Sequence, residues 1–367
     1  MLILMAAALL VGSAALSAAM TAVARKAAPR WGLVAHPRAD RYHRSVIPLG
    51  GGAAIFLTLA IFLIAAAATI RFLIAPGYLA WPADRVNINP ADFLHRSGEL
   101  LVILLCATIL FLVGLWDDKR ALGPFVKLAF QFLVAILAAS LGDVRVEFFI
   151  QNTVVTTVLS AFWIILLVNA FNFLDNMDGA SAGIAAIASA VLLTAAAFNG
   201  QVFVGGLAIL FIGALLGFLI FNFPPASIFM GDAGSLVVGF FVALLTLRTD
   251  YYRQAESGSW YPVLLPLIAV AVPLYDFASV TLLRISQGKS PFVGDTQHFS
   301  HRLRRRGLTD RQTALTLYVA TLCTGLGATF LYQVNLVGAI LIVVQTCLIL
   351  AIIGVFETAV RNDQKSS

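Results

Sequence analysis

The chain has 367 residues, 60% of them hydrophobic and only 11% charged, with a mean hydropathy of +0.93 and a formal net charge of +6. An ordinary soluble domain is about 45–50% apolar and about 25% charged, so a water-soluble enzyme, a disordered chain and a disulfide-rich secreted domain are all disfavoured. The apolar residues fall in blocks of about 17–24, the length of a bilayer-spanning helix, and predict an all-α polytopic membrane protein.

Eleven candidate spans follow. The first, 1–24, has no basic segment before it and carries Arg25, Lys26 and Arg30 after it, which reads as a retained helix and not a leader. The next stretch, HPRADRYHRSVIPLGGG (36–52), sets Arg38, Arg41, His43 and Arg44 before three glycines. Glycines at the mouth of a span let backbone N–H groups face an anion, though a bare triplet is weak evidence.

Spans 52–75 and 99–115 come next, and the third runs into VGLWDDKR. Two adjacent carboxylates, Asp117 and Asp118, repel, so one tends to hold a proton or share a cation. They are either a solvated loop pair beside Lys119 and Arg120, or a base with an orienting or metal-shell partner. The fourth span, 122–141, contains Lys127.

The fifth span, 154–171, leads into NAFNFLDNMDGASAG (169–183). Asn169, Asn172, Asp175 and Asp178 are spaced three apart and share one face if the helix continues to Gly179, which breaks it. Helix capping accounts for one of these aspartates but not for the set. Spans 180–198 and 202–222 precede FNFPPASIFMGDAGSLVVGF (221–240). Pro224 and Pro225 end one helix, Phe229 is an aromatic in a polar loop, and Gly231, Asp232, Gly234 and Ser235 open the next. Asp232 is there either an N-cap or a hard-cation ligand.

Span 233–249 is followed by 260–283, where Pro262, Pro266 and Pro273 predict a kinked or broken ninth helix. The loop GKSPFVGDTQHFSHRLRRRGLTD (288–310) carries Asp295, His298, His301, Arg302, Arg304, Arg305 and Arg306. Paired histidines beside this run suit an anion site, and the same arginines suit contact with anionic lipid. Spans 312–332 and 335–356 and a short polar tail, 357–367, complete a single transmembrane catalytic domain over 1–367. Cys106, Cys323 and Cys347 lie within apolar runs without CxxC pairing and read as lipid- or core-facing thiols.

One set of alternate loops holds seventeen Lys and Arg against four in the other. That asymmetry predicts an outside N-terminus and a cytoplasmic C-terminus. Asp117, Asp118, Asp175, Asp178, Asp232 and Asp295 then all collect at the cytoplasmic ends of spans, with His298, His301 and most arginines. Acids with room for Mg²⁺, flanked by Arg and His, make a diphosphate-handling site, and long apolar helices permit a lipid as the other substrate.

These pieces, namely WDDKR, NAFNFLDNMDG, PASIFMGDAGS and the closing H-x-x-H-R-L, resemble the polyprenyl-phosphate N-acetylhexosamine-1-phosphate transferases, in order from about residue 36 to 310. The resemblance implies about eleven spans and a bacterial inner-membrane enzyme with a cytoplasmic active site. It implies Mg²⁺, with Mn²⁺ as a substitute, and transfer of a hexosamine-1-phosphate, GlcNAc first, from a UDP-sugar to undecaprenyl phosphate. It implies that Asp117 deprotonates or orients the lipid phosphate with Asp118 beside it, and that Asp232 binds Mg²⁺. Asn172, Asp175 and Asp178 would shape the nucleotide and metal site, Asp175 also as a metal ligand. Asn222 and Phe229 would contact uridine, Lys127 phosphate, and His298 and His301 the diphosphate; Arg41, His43, Arg44 and Arg302 would bind substrate. Ser300 stands where the GlcNAc branch commonly has a histidine, and the three-histidine run of the muramoyl-pentapeptide branch is absent, so the donor sugar stays open. Family members are often dimers, and the sequence leaves the oligomeric state open.

A transporter would place charges near mid-span. Here only Asp276 and Lys127 approach that depth. An inactive scaffold of the same fold would be expected to lose motif acids, and all are present.

Overall fold

The computed structural model describes residues 1–35, 46–78, 97–146, 150–251, 259–290, 302–303 and 307–358. The apolar blocks form helices because a backbone in lipid must satisfy its own N–H and C=O groups. In chain order these are α1 (Leu2–Ala27), α2 (Gly51–Thr69), α3 (Ser97–Lys119), α4 (Pro124–Leu141), α5 (Thr153–Leu174), α6 (Ala180–Phe198), α7 (Val202–Asn222) and α8 (Asp232–Arg248). The short α9 (Leu265–Ala269) is followed by α10 (Ala271–Ser286), α11 (Asp310–Thr329) and α12 (Leu336–Thr358). A two-residue antiparallel ribbon, β1 (Val34–Ala35) with β2 (Ile47–Pro48), closes the way into α2.

Among the described residues, nine helices are long and apolar enough to cross a membrane, or ten if the bent α9–α10 pair is one span. Eleven spans were expected. The eighth forms as α8, but it has only 17 residues, and every residue from Ala233 to Thr246 is buried. At about 1.5 Å per residue α8 is about 25 Å long, short of the hydrocarbon thickness of about 30 Å. A helix sheathed in protein on all sides does not need to match the lipid. The ninth segment is broken as its prolines predict: Tyr261–Ala269 and Ala271–Ser286 meet at 63°.

Around α8 pack α3, α5, α2 and α6, and α7 lies between α1 and α6. The α1–α7 contact depends on small residues. A side chain on Gly213 would strike Ser13, and one on Gly217 would strike the carbonyl of Ala14. Ser17 Oγ donates to the Ala214 carbonyl at 2.6 Å across this seam. Close backbone approach of this kind replaces the hydrophobic drive that lipid removes. Outward-facing Ile3, Ile64, Leu101, Val154 and Ile220 remain exposed, as a lipid-facing surface requires.

Two boundaries differ from the sequence expectation, and both matter to chemistry. The third helix continues through Trp116–Lys119, so Asp117 and Asp118 sit on its last turn and not in a loop. The fifth ends at Leu174, with Asp175 as its C-cap, so Asn169, Asn172, Asp175 and Asp178 do not form one continuous stripe. Gly179, expected to break that helix, instead caps the start of α6 with φ +73°.

Candidate active site

Four helices bring polar groups together at one end of the bundle. Lys127, on the first turn of α4, extends between two carboxylates from other helices. Its Nζ donates to Asp117 Oδ2 at 2.9 Å and also to Asp232 Oδ2. The side chains are 21% exposed at Lys127, 15% at Asp117 and 27% at Asp232, so the cluster is recessed but open to water. Asp117 Oδ1 also accepts from the Leu122 backbone at 2.5 Å, which folds the α3–α4 turn back onto the helix end.

Asn172 completes the cluster from α5. Its amide donates to Asp232 Oδ1 at 3.1 Å and to Ser235 Oγ at 2.8 Å. Asp118 faces a different way from Asp117. Its Oδ1 accepts from the Asp232 backbone N–H at 2.8 Å and its Oδ2 from that of Ala233 at 3.1 Å. Successive helical residues are turned about 100° apart, so two adjacent aspartates on one helix reach separate partners.

The loop between α7 and α8 forms the neighbouring wall. Asp178 Oδ2 accepts from the Ala226 backbone at 2.8 Å. Asn222 is 3% exposed and used at both ends: its Oδ1 accepts from Gly179 N at 3.0 Å and its Nδ2 donates to the Ile228 carbonyl at 2.9 Å. Through these bonds Asn222 joins two loops. Phe229 is half-buried, and its backbone pairs with the entry to α2: Phe229 N donates to the Pro48 carbonyl at 2.9 Å, and Gly51 N donates to the Phe229 carbonyl at 3.0 Å. Arg25 at the end of α1 donates to Ser227 at 3.3 Å, and Arg311 on α11 to the Pro224 carbonyl at 2.8 Å.

The expected site residues are thus distributed unevenly. Asp117, Lys127, Asn172 and Asp232 converge; Asp118 stands behind Asp232. Asp175 caps α5 one turn beyond Asn172. Arg302 donates to Ser279 Oγ on α10 at 3.1 Å. Arg41, His43, Arg44, His298 and His301 lie outside the described residues.

Sequence inspection passed over Gln131 and Tyr318. Gln131 lies one turn beyond Lys127, is 3% exposed, and accepts from Asn169 Nδ2 at 2.6 Å. This amide pair joins α4 to α5 directly beneath Lys127 and Asn172, and it turns Asn169 away from the acidic cluster. Its signal was a lone glutamine four residues after a lone lysine in an otherwise apolar run. Tyr318 donates to the Gly179 carbonyl at 2.7 Å, and nothing in its sequence surroundings marks it.

Two carboxylates from different helices meeting at one ammonium form a seat for positive charge. The donors are hard oxygens, which suit Mg²⁺ or Mn²⁺. Among the described residues no group of three or more His, Cys, Asp or Glu surrounds one point.

The chain is similar to several known proteins. Residues 100–250, which contain Asp117, Lys127, Asn172 and Asp232, match the family described as glycosyl transferase family 4. A Bacillus subtilis protein named a probable undecaprenyl-phosphate N-acetylglucosaminyl 1-phosphate transferase is 29% identical over 82% of this chain and 77% of its own length. The Escherichia coli K12 undecaprenyl-phosphate alpha-N-acetylglucosaminyl 1-phosphate transferase is 28% identical over 81% of this chain and 76% of its own. A Mycobacterium tuberculosis protein named decaprenyl-phosphate N-acetylglucosaminephosphotransferase is 28% identical over 82% and 76%. Residues 100–250 are therefore similar to glycosyl transferase family 4, and most of the chain is similar to proteins named as N-acetylglucosaminyl 1-phosphate transferases of polyprenyl phosphates.

Proposed function

We propose that this chain transfers N-acetylhexosamine-1-phosphate, most simply GlcNAc-1-phosphate, from a UDP-sugar to undecaprenyl phosphate. The products are UMP and the lipid-diphosphate sugar that begins a cell-envelope polysaccharide. The observation that carries this reading is the convergence of Asp117, Lys127, Asn172 and Asp232 at one end of an apolar bundle. Relatives whose names specify a polyprenyl phosphate and an N-acetylglucosaminyl 1-phosphate group support it.

An oxygen of the lipid phosphate attacks the sugar-bearing β-phosphorus. The bond from that phosphorus to the oxygen bridging the α-phosphate breaks, and UMP leaves with the electron pair. Lys127 holds phosphate by charge in a recessed site, where water screens it less than at an open surface. Asp117 orients the attacking phosphate and takes its proton if it arrives protonated. Asn172 keeps Asp232 in its rotamer. Asp232, with Asp175 as the second expected ligand, would hold Mg²⁺, which supplies neutralisation of the diphosphate and of the leaving UMP. Asp178, Phe229, Arg302 and the segments bearing Arg41, His43, Arg44, His298 and His301 would shape the donor pocket.

The proposal extends to topology: eleven spans, an outside N-terminus and a cytoplasmic active site in a bacterial inner membrane. The basic-loop asymmetry supports that orientation. A homodimer is compatible with it. The alternative donor is UDP-MurNAc-pentapeptide.

The test is UMP release by purified protein in nanodiscs with undecaprenyl phosphate and Mg²⁺, offering UDP-GlcNAc, UDP-GalNAc and UDP-MurNAc-pentapeptide separately. Metal-dependent UMP from UDP-GlcNAc alone is the expected result. Turnover only with the pentapeptide would move the protein to the muramoyl branch. No UMP with any donor, from verified folded protein, would overturn the reading.

A further inference from the structure

We infer that Asp118 is a positioning residue: its carboxylate is the N-terminal cap of α8, supplied from another helix, and it aims Asp232 at Lys127 and Asp117. The inference rests on the transferase reading for its kinetic consequence and on geometry alone for the cap itself.

The first N–H groups of any helix lack intrahelical partners, and a side-chain oxygen from the N-cap residue ordinarily satisfies them. The N-cap of α8 is Gly231, which has no side chain to offer. The duty passes to Asp118, whose two oxygens accept from Asp232 N at 2.8 Å and Ala233 N at 3.1 Å. A carboxylate at this position also meets the positive end of the α8 dipole.

The surrounding backbone is shaped for this contact. Gly231 has φ +73° and ψ 174°, a region open essentially to glycine alone. A Cβ there would lie 2.5 Å from Asp118 Oδ2. Gly114, one turn before Asp118 on α3, lets the two helices touch: a Cβ on it would lie 2.5 Å from Ala233 Cα. On the far side, a Cβ on Gly52 of α2 would collide with the backbone of Gly234. The first turn of α8 is therefore clamped between α3 and α2, and Asp118 bonds the very residue whose side chain faces Lys127.

Adjacent aspartates that look redundant in the sequence thus divide the work. Asp117 meets the Lys127 ammonium, and Asp118 meets the backbone N–H groups of Asp232 and Ala233. Losing the cap lets the first turn of α8 fray and moves the Asp232 carboxylate. Losing Asp117 leaves that turn intact.

The test compares Asp118→Asn, Asp118→Ser and Asp118→Ala with Asp117→Asn and Asp117→Ala, all full-length in nanodiscs. Asparagine and serine are good caps and alanine is not. Hydrogen exchange of the peptide holding the Asp232 and Ala233 amides should speed up at least tenfold in Asp118→Ala. It should change less than threefold in Asp118→Asn and not at all in the Asp117 variants. In the UMP-release assay, Asp118→Asn and Asp118→Ser should keep a tenth or more of the wild-type kcat, and Asp118→Ala should lose about a hundredfold. Half-saturating Mg²⁺ should rise several-fold in Asp118→Ala, with KM for the lipid phosphate within twofold. Asp117→Asn should be as inactive as Asp117→Ala. If Asp118→Ala does not fold, Asp118→Asn and Asp118→Ser decide by the same two readouts. Unchanged exchange at residues 232–233 in the cap-deficient protein would overturn the inference. So would Asp118→Asn and Asp118→Ser as inactive as Asp117→Asn, because capping capacity would then not matter. Should the wild type release no UMP, the transferase reading fails, and hydrogen exchange still decides whether Asp118 caps α8.

Discussion

Replacing Lys127 by methionine removes one charge and leaves two carboxylates facing each other. The ammonium bonds Asp117 at 2.9 Å and also bonds Asp232, and all three side chains are between 15% and 27% exposed. At an effective dielectric of about 20, an ion pair 4 Å apart has a gross Coulomb energy of about 4 kcal/mol. Desolvation and residual exposure cancel most of that, leaving roughly 1–2 kcal/mol for each contact. If about 2.7 kcal/mol of this reappears as lost stabilisation of the reacting phosphate, turnover falls about 100-fold, at about 1.4 kcal/mol per decade. The same variant leaves Asp117 and Asp232 without their cation, so they attract a divalent ion more strongly. Half-saturating Mg²⁺ should therefore fall several-fold while kcat falls. The assay is UMP release across a Mg²⁺ titration, with a thermal melt to verify folding. A kcat within threefold of wild type, or an unchanged Mg²⁺ requirement, would refute a Lys127 that bridges two functional carboxylates.

Asn222→Ala should destabilise the protein by about 2–3 kcal/mol, since it abandons a buried N–H and a buried carbonyl. A normal melting temperature with a raised KM for the UDP-sugar would instead support direct nucleotide contact. Gln131→Leu and Asn169→Leu should each cost about 0.6–1.7 kcal/mol, the range found for hydrogen bonds between membrane helices. In a double-mutant cycle their sum should exceed the double variant; strict additivity would mean that the pair does not couple. Gly217→Leu should separate α1 from α7 and cost about 1–3 kcal/mol by overpacking, read as a lower melting temperature. An unchanged melting temperature would show that the seam yields without cost.

Much of the protein was legible in the sequence because lipid imposes a simple rule. A backbone without water must form helices about 20 residues long, so apolar runs betray their positions. Rare charges in such a chain stand out for the same reason: each is expensive, and Asp117 and Asp232 mark helix ends that the structure brings together at Lys127. Proline chemistry likewise announced the break before α10. Side-chain assignments were harder to read. Sequence spacing grouped Asn169 with Asn172, yet one residue pairs with Gln131 on α4 and the other with Asp232 on α8, because α5 packs against both helices. The adjacency of Asp117 and Asp118 suggested shared chemistry, yet the turn of the helix sends one carboxylate to an ammonium and the other to the start of α8. The two bonds by which Asn222 joins Gly179 to Ile228 have no signal in sequence spacing. The sequence alone determined where the long apolar helices form and that carboxylates and amides stand at their ends. Tertiary structure decided which of those residues face one another, because hydrogen bonds between helices depend on rotation and packing that no single helix encodes.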